Sequence, residues 1–156
     1  MNNNEILRRL RYELNLSDAK MIEIFARVGQ VLNEAEVHSL LGKEDEEGTV
    51  ICLDDLMAAF LDSLIVELRG PPRPGSPPPA IPDRISNNDI IKKVRIALKL
   101  QEADMMAILE AGGQPMSKGE LSALFRKPGH KHYRACGDQV MRAFLRGLTL
   151  RLRPSK

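Results

Sequence analysis

The residues best suited to chemistry lie together in Arg126–Gln139, read RKPGHKHYRACGDQ. Two histidines, a cysteine, a tyrosine and four cationic side chains fall within fourteen residues. Three chemistries use such types. His130-x-His132 with Cys136 and Asp138 offers zinc-ligand types. A cysteine near histidines is the raw material of an activated thiol. Arg126, Lys127, His130, Lys131, His132, Tyr133 and Arg134 together suit an anion or an acidic partner.

The first two chemistries are poorly supported. Zinc sites with cysteine usually carry paired thiolates, and here Lys127, Lys131 and Arg134 would repel a cation. The other cysteine, Cys52, lies between Ile51 and Leu53 with no histidine nearby. Cysteine at both places despite opposite surroundings reads as a packing residue. No paired-carboxylate pattern, Gly-rich phosphate loop or nucleophile elbow occurs. The sequence therefore points to a binding or protein-interaction module, with no enzyme activity, metal, cofactor or small-molecule substrate called for. His38 reads as a lone surface histidine.

These residues belong to a repeat. NNEILRRLRYELNL from Asn3 returns as NNDIIKKVRIALKL from Asn87, and the offset of 84 then runs without a gap. It pairs Gly29-Gln30 with Gly113-Gln114, Glu36 with Glu120, Lys43 with Lys127, Cys52 with Cys136, Asp54 with Asp138, and Phe60-Leu61 with Phe144-Leu145. About a third of the positions are identical. Residues 1–70 and 86–156 are thus predicted to be homologous units, joined by a spacer over 71–85. Seven of the ten prolines lie in that spacer. Proline fixes φ and removes a donor, so the segment reads as an extended tether of about 45 Å at about 3.1 Å per residue. Its PxxP spacing matches an SH3 ligand, but a linker already explains it.

Each unit reads as four helices, and the fold class is all-α. Ile6, Leu7, Leu10 and Leu14 make a helical stripe, matched by Ile90, Ile91, Val94 and Leu98. Ser17 is predicted to cap a second helix that ends at Gly29. Asn33 with Glu36, and Ser117 with Glu120, have capping-box spacing for a third. Pro128-Gly129 is expected to break that helix in the second unit, and Asp138 to cap the fourth. The long fourth helix is expected to bury Leu56, Met57, Phe60, Leu61, Leu64 and Leu68, or Val140, Met141, Phe144, Leu145, Leu148 and Leu152.

The double NN-x-I start, the FRKPGHKHYR stretch of Phe125–Arg134 and the following Cys136-Gly137-Asp138-Gln139 resemble the YehS-like family of small bacterial proteins. The resemblance spans almost the whole chain. It implies a duplicated helical protein and a bacterial cytosolic origin, and it brings no activity, substrate or catalytic residue. The first unit departs from the loop motif, with KEDEEGTVICLDD over Lys43–Asp55. Any role of His130 or His132 therefore belongs to the second unit.

Charge divides the halves. Residues 1–70 carry 7 Lys and Arg against 14 Asp and Glu, a balance of −7. Residues 86–156 carry 14 against 6, a balance of +8. On the last helices Ala58, Asp62 and Glu67 correspond to Arg142, Arg146 and Arg151. Arg142 and Arg146 therefore join the candidate binding face. The partner is expected to be a protein or a second copy. Nucleic acid is the alternative, through a helix-turn-helix-like hairpin of the second and third helices and phosphate contacts. No apolar run approaches the roughly 18 residues of a membrane span, and Met1–Glu5 shows no signal-peptide pattern. Two cysteines fit a reducing cytosol.

Overall fold

The computed structural model describes residues 1–77 and 80–153; Pro78 and Pro79 of the spacer lie outside the described residues. Among the described residues there are eight α-helices and no strand. The chain divides into two compact units, residues 1–85 and 86–156, so the spacer groups with the first unit. No described helix is long and apolar enough to cross a membrane.

The first unit holds α1 (Asn3–Glu13), α2 (Asp18–Arg27), α3 (Glu34–Leu41) and α4 (Asp54–Arg69). Its core joins Ile6, Leu7 and Leu10 of α1, Met21, Ile24 and Phe25 of α2, Val37 of α3, and Met57, Phe60, Leu61 and Leu64 of α4. The Phe25 and Phe60 rings meet with centroids 5.1 Å apart. The second unit repeats this order with α5 (Asn87–Leu98), α6 (Glu102–Ala111), α7 (Lys118–Leu124) and α8 (Asp138–Leu152). Phe144 is buried as Phe60 is, and Cys136 as Cys52.

Helix starts follow the side-chain chemistry. Ser17 Oγ accepts from the Lys20 amide at 3.1 Å. Asn33–Glu36 and Ser117–Glu120 form reciprocal capping boxes, as does Ser86–Asp89. Gly29 adopts φ +83°, which lets the chain turn out of α2.

Four sequence expectations are corrected. Asp138 does not cap α8: Gly137 is the N-cap, and Asp138 opens the first turn, where its negative charge suits the helix dipole. Helix α7 ends at Leu124, four residues before Pro128, so Pro128-Gly129 is not what breaks it. Leu14 and Leu98 are only half-buried at the ends of their stripes. Leu68 and Leu152 are exposed, at 41% and 36%. Lys20 and Arg27 reach Glu67 and Ser63, so α4 runs antiparallel to α2, and Leu68 lies past the last turn that could cover it. Arg151 meets Asp104 in the first turn of α6, and Leu152 overruns that helix in the same way.

Candidate partner-binding face of the second unit

The loop that carries the basic residues is held by two asparagines at the start of α5. Asn88 Nδ2 donates to Leu124 O at 2.9 Å and to Arg134 O at 2.8 Å, and Asn88 Oδ1 accepts from the Cys136 amide at 2.8 Å. One buried amide therefore holds the end of α7 and the segment that leads into α8. Asn87 Nδ2 adds bonds to Cys136 O and Asp138 Oδ1, each 3.0 Å. The Asn87 donor lowers the Asp138 pKa. Leu124 O is among the last carbonyls of α7, which have no partner within the helix, and the Asn88 donor satisfies it.

The first unit repeats the clasp. Asn4 Nδ2 reaches Gly42 O and Val50 O, and Asn4 Oδ1 accepts from the Cys52 amide at 2.7 Å. Asn3 binds Cys52 O and Asp54 Oδ1. Val50 N donates to Ser39 O just as Arg134 N donates to Ala123 O. The frame is shared and the cargo differs. Glu44-Asp45-Glu46-Glu47 occupies the positions of Pro128-Gly129-His130-Lys131.

On this frame Arg126, Lys131, His132, Tyr133 and Arg134 line an open depression of about 560 Å³. A smaller hollow of about 100 Å³ shares Arg126 and Tyr133 and adds Lys92 and Lys127. Six of the nine sequence-predicted residues thus share one continuous surface. The side chains of Arg126, Lys127 and Lys131 have no ion-pair partner among the described residues. His130 sits beside this surface, with its Nδ1 accepting from the His132 amide at 3.0 Å and the two rings 5.6 Å apart. Arg134 is paired with Glu120 at 3.2 Å. Bonds from Ser117 lower the Glu120 pKa, and Arg134 adds to the effect.

Arg142 and Arg146, on α8, are not placed in either hollow. Arg146 donates from Nε and Nη2 to Gly112 O at 3.2 and 2.8 Å, a bond that closes the end of α6. Arg142 is exposed one turn from Asp138. Sequence reasoning passed over Lys92. Its signal was its place one helical turn after Asn88, the residue that anchors the loop.

Both thiols are buried, and desolvation pushes the pKa of Cys52 up to about 12 and that of Cys136 to about 11. Nearby Asp55 and Asp138 add to the respective shifts. The thiolate is the reactive form, so neither cysteine is primed as a nucleophile. The expected result is that iodoacetamide at pH 8 leaves the native protein unmodified while the urea-unfolded chain takes up two labels, as read by intact mass. Rapid native labelling of Cys136 would overturn this. Among the described residues no three His, Cys, Asp or Glu side chains converge to hold a metal.

The shared clasp gives a physical reason for the paired asparagines that open each unit and for the aspartate that follows each loop. A family described as protein of unknown function (DUF1456) matches residues 3–70 and again 87–153. The chain belongs to this family. The two matched segments correspond to the two helical units and leave the proline-rich spacer between them. The chain is 43% identical over 153 residues to the uncharacterized protein YehS of Escherichia coli (strain K12), covering 97% of this chain and 96% of that one. No solved structure matches. Family membership thus carries the duplicated all-α architecture and leaves the activity open.

Proposed function

We propose that the protein is a cytosolic, non-enzymatic binding module whose second unit grips an acidic protein surface through the Arg126–Arg134 loop. One observation carries the reading: Arg126, Lys127 and Lys131 project from a loop fixed by the Asn88 clasp, with no countercharge of their own among the described residues. A rigid frame presenting unpaired cations loses little entropy when an acidic partner docks. The raised thiol pKa values support the non-enzymatic part. The opposite balances of −7 and +8 make a second copy one candidate source of the acidic surface.

Nucleic acid is the second reading, supported by the same cations. The hairpin geometry does not add to it. Helix α7 has only seven residues, and it exposes Lys118, Glu120 and Ser122, of which Lys118 is paired with Glu102 and Glu120 with Arg134. In the first unit the corresponding helix starts with Glu34 and Glu36, which would repel phosphate. Any nucleic-acid contact would therefore run through the loop and be insensitive to base sequence.

The test is fluorescence anisotropy of the full chain with labelled polyglutamate and with random duplex DNA, across a salt series. Polyglutamate binding is expected to weaken at least tenfold in Arg126→Glu/Lys131→Glu, with the circular dichroism unchanged. Tight duplex binding with a log–log salt slope of about −3, as for about three phosphate contacts, would favour nucleic acid instead. An unaltered affinity in the double variant would remove this face from either function.

A further inference from the structure

Comparison of the two units exposes a second surface with a different chemistry. Val28, Leu40, Val50, Ile51, Leu53 and Ile81 line a groove of about 360 Å³ in the first unit. Three of these side chains follow the acidic loop in sequence and are more than half exposed: Val50 at 54%, Ile51 at 51% and Leu53 at 65%. They are not needed to fill the core. Ile81 reaches the same groove from the spacer, whose Ile85 amide donates to Asp54 Oδ2 at 3.1 Å.

The second unit is an internal control, because the path into its last helix is held by the corresponding bonds. At the positions of Val50, Ile51 and Leu53 it has Arg134, Ala135 and Gly137, and at that of Val28 it has Gly112. A large apolar residue exposed at each of three positions where the homologous frame tolerates Arg, Ala and Gly is not a folding requirement. Contiguous exposed apolar surface beside polar residues marks an interaction site.

The surroundings select the occupant. Asp55 lines the groove itself. The loop leading into it carries Glu44, Asp45, Glu46 and Glu47, all exposed, and Glu44, Asp45 and Glu47 have no cation paired with them among the described residues. We propose that this groove docks a basic amphipathic peptide segment, with apolar side chains entering between Val50 and Leu53 and flanking Lys or Arg side chains facing Asp55 and the acidic loop. Helix-in-groove recognition of this kind uses apolar anchors one turn apart, and charges around the groove set partner choice and on-rate. The site is independent of the basic face on the second unit. The chain then presents two docking chemistries on one duplicated frame.

The test uses the full chain and three labelled synthetic peptides. In the first, leucine recurs every third or fourth residue among lysines. The second replaces lysine with glutamate, and the third replaces leucine with serine. Anisotropy is measured with the wild type and with Ile51→Asp/Leu53→Asp, whose sites are exposed so that folding is preserved. The Leu/Lys peptide is expected to bind at least tenfold more tightly than either control, and to lose at least tenfold in the double variant. Equal binding of the Ser/Lys peptide would reduce the interaction to bulk charge and overturn the proposal. So would retention of affinity in the double variant. Sedimentation equilibrium without peptide tests the competing occupant: a dimer abolished by Ile51→Asp/Leu53→Asp would assign the groove to a second copy and overturn the peptide assignment.

Discussion

Replacing Asn4 by alanine is expected to destabilise the first unit by about 3 kcal/mol. The side chain is fully buried and makes bonds to Gly42 O, Val50 O and the Cys52 amide, all on the path from α3 to α4. Alanine leaves buried backbone groups without their partner, at about 1–3 kcal/mol for each such loss, less than additively. The Cys52 amide reports the change locally. Its hydrogen-exchange protection is expected to fall about a hundredfold, since each 1.4 kcal/mol is about a factor of ten, while protection at Cys136 persists. Asn4→Asp keeps the acceptor for Cys52 but loses both donors and sets a carboxylate against two carbonyls, so it is expected to be no milder. Asn3→Ala removes bonds in a partly solvated position and is expected to cost only about 1 kcal/mol. If Asn4→Ala left both the melting temperature and Cys52 exchange unchanged, the clasp would not be what holds this connection.

The clasp also marks where sequence reasoning stopped. The Asn pair was legible as the opening of each repeat, and its recurrence at an offset of 84 fixed the duplication. Its role was not legible, because its partners are backbone groups 36 to 49 residues away and the Asp54 and Asp138 carboxylates 51 residues away. A backbone carbonyl has no residue type to read. The same blindness applies to Arg146, whose charge suggested a binding role while its guanidinium closes on Gly112 O. Features set within a few residues were legible. Ser17, Asn33–Glu36 and Ser117–Glu120 all cap as their spacing implied. Leu68 and Leu152 failed because periodicity extends a stripe without knowing where the opposing helix ends. The loop cations share one surface because they lie close along the chain. Lys92 joins them only through the fold, as does the groove of the first unit, where Val28, Leu40, Leu53 and Ile81 are distant in sequence.

The second large effect is expected at Gly147, where the two units have diverged in how closely their helices cross. A Cβ added to Gly147 would fall well inside van der Waals contact with Ile108 O, and 2.7 Å from Ile108 C. One added to Gly112 would collide likewise with Ala143 O and lie 2.6 Å from Ala143 C. Both obstacles are backbone, so no rotamer change relieves them, and α6 must move away from α8. In the first unit the counterpart of Gly147 is Ser63, and that of Ile108 is Ile24. There the hydroxyl fills the space and donates to Ile24 O at 2.7 Å, and Arg27 Nη1 reaches the same Ser63 oxygen at 3.1 Å. Gly147→Ser would thus install the residue that the homologous unit already uses, yet the expected cost is about 3 kcal/mol, at the upper end for overpacking. For a unit of this size that lowers its melting temperature by more than about 10 °C. Ser63→Gly is expected to cost about 2 kcal/mol by a different route, the loss of a buried hydrogen bond and the added backbone freedom of glycine in a helix. The pair separates fit from composition. If helix spacing is the cause, the reciprocal exchange in one chain adds the two penalties instead of cancelling them. A Gly147→Ser protein that melts like the wild type would show that α6 and α8 have room to part, and would remove close backbone approach as the reason for glycine there.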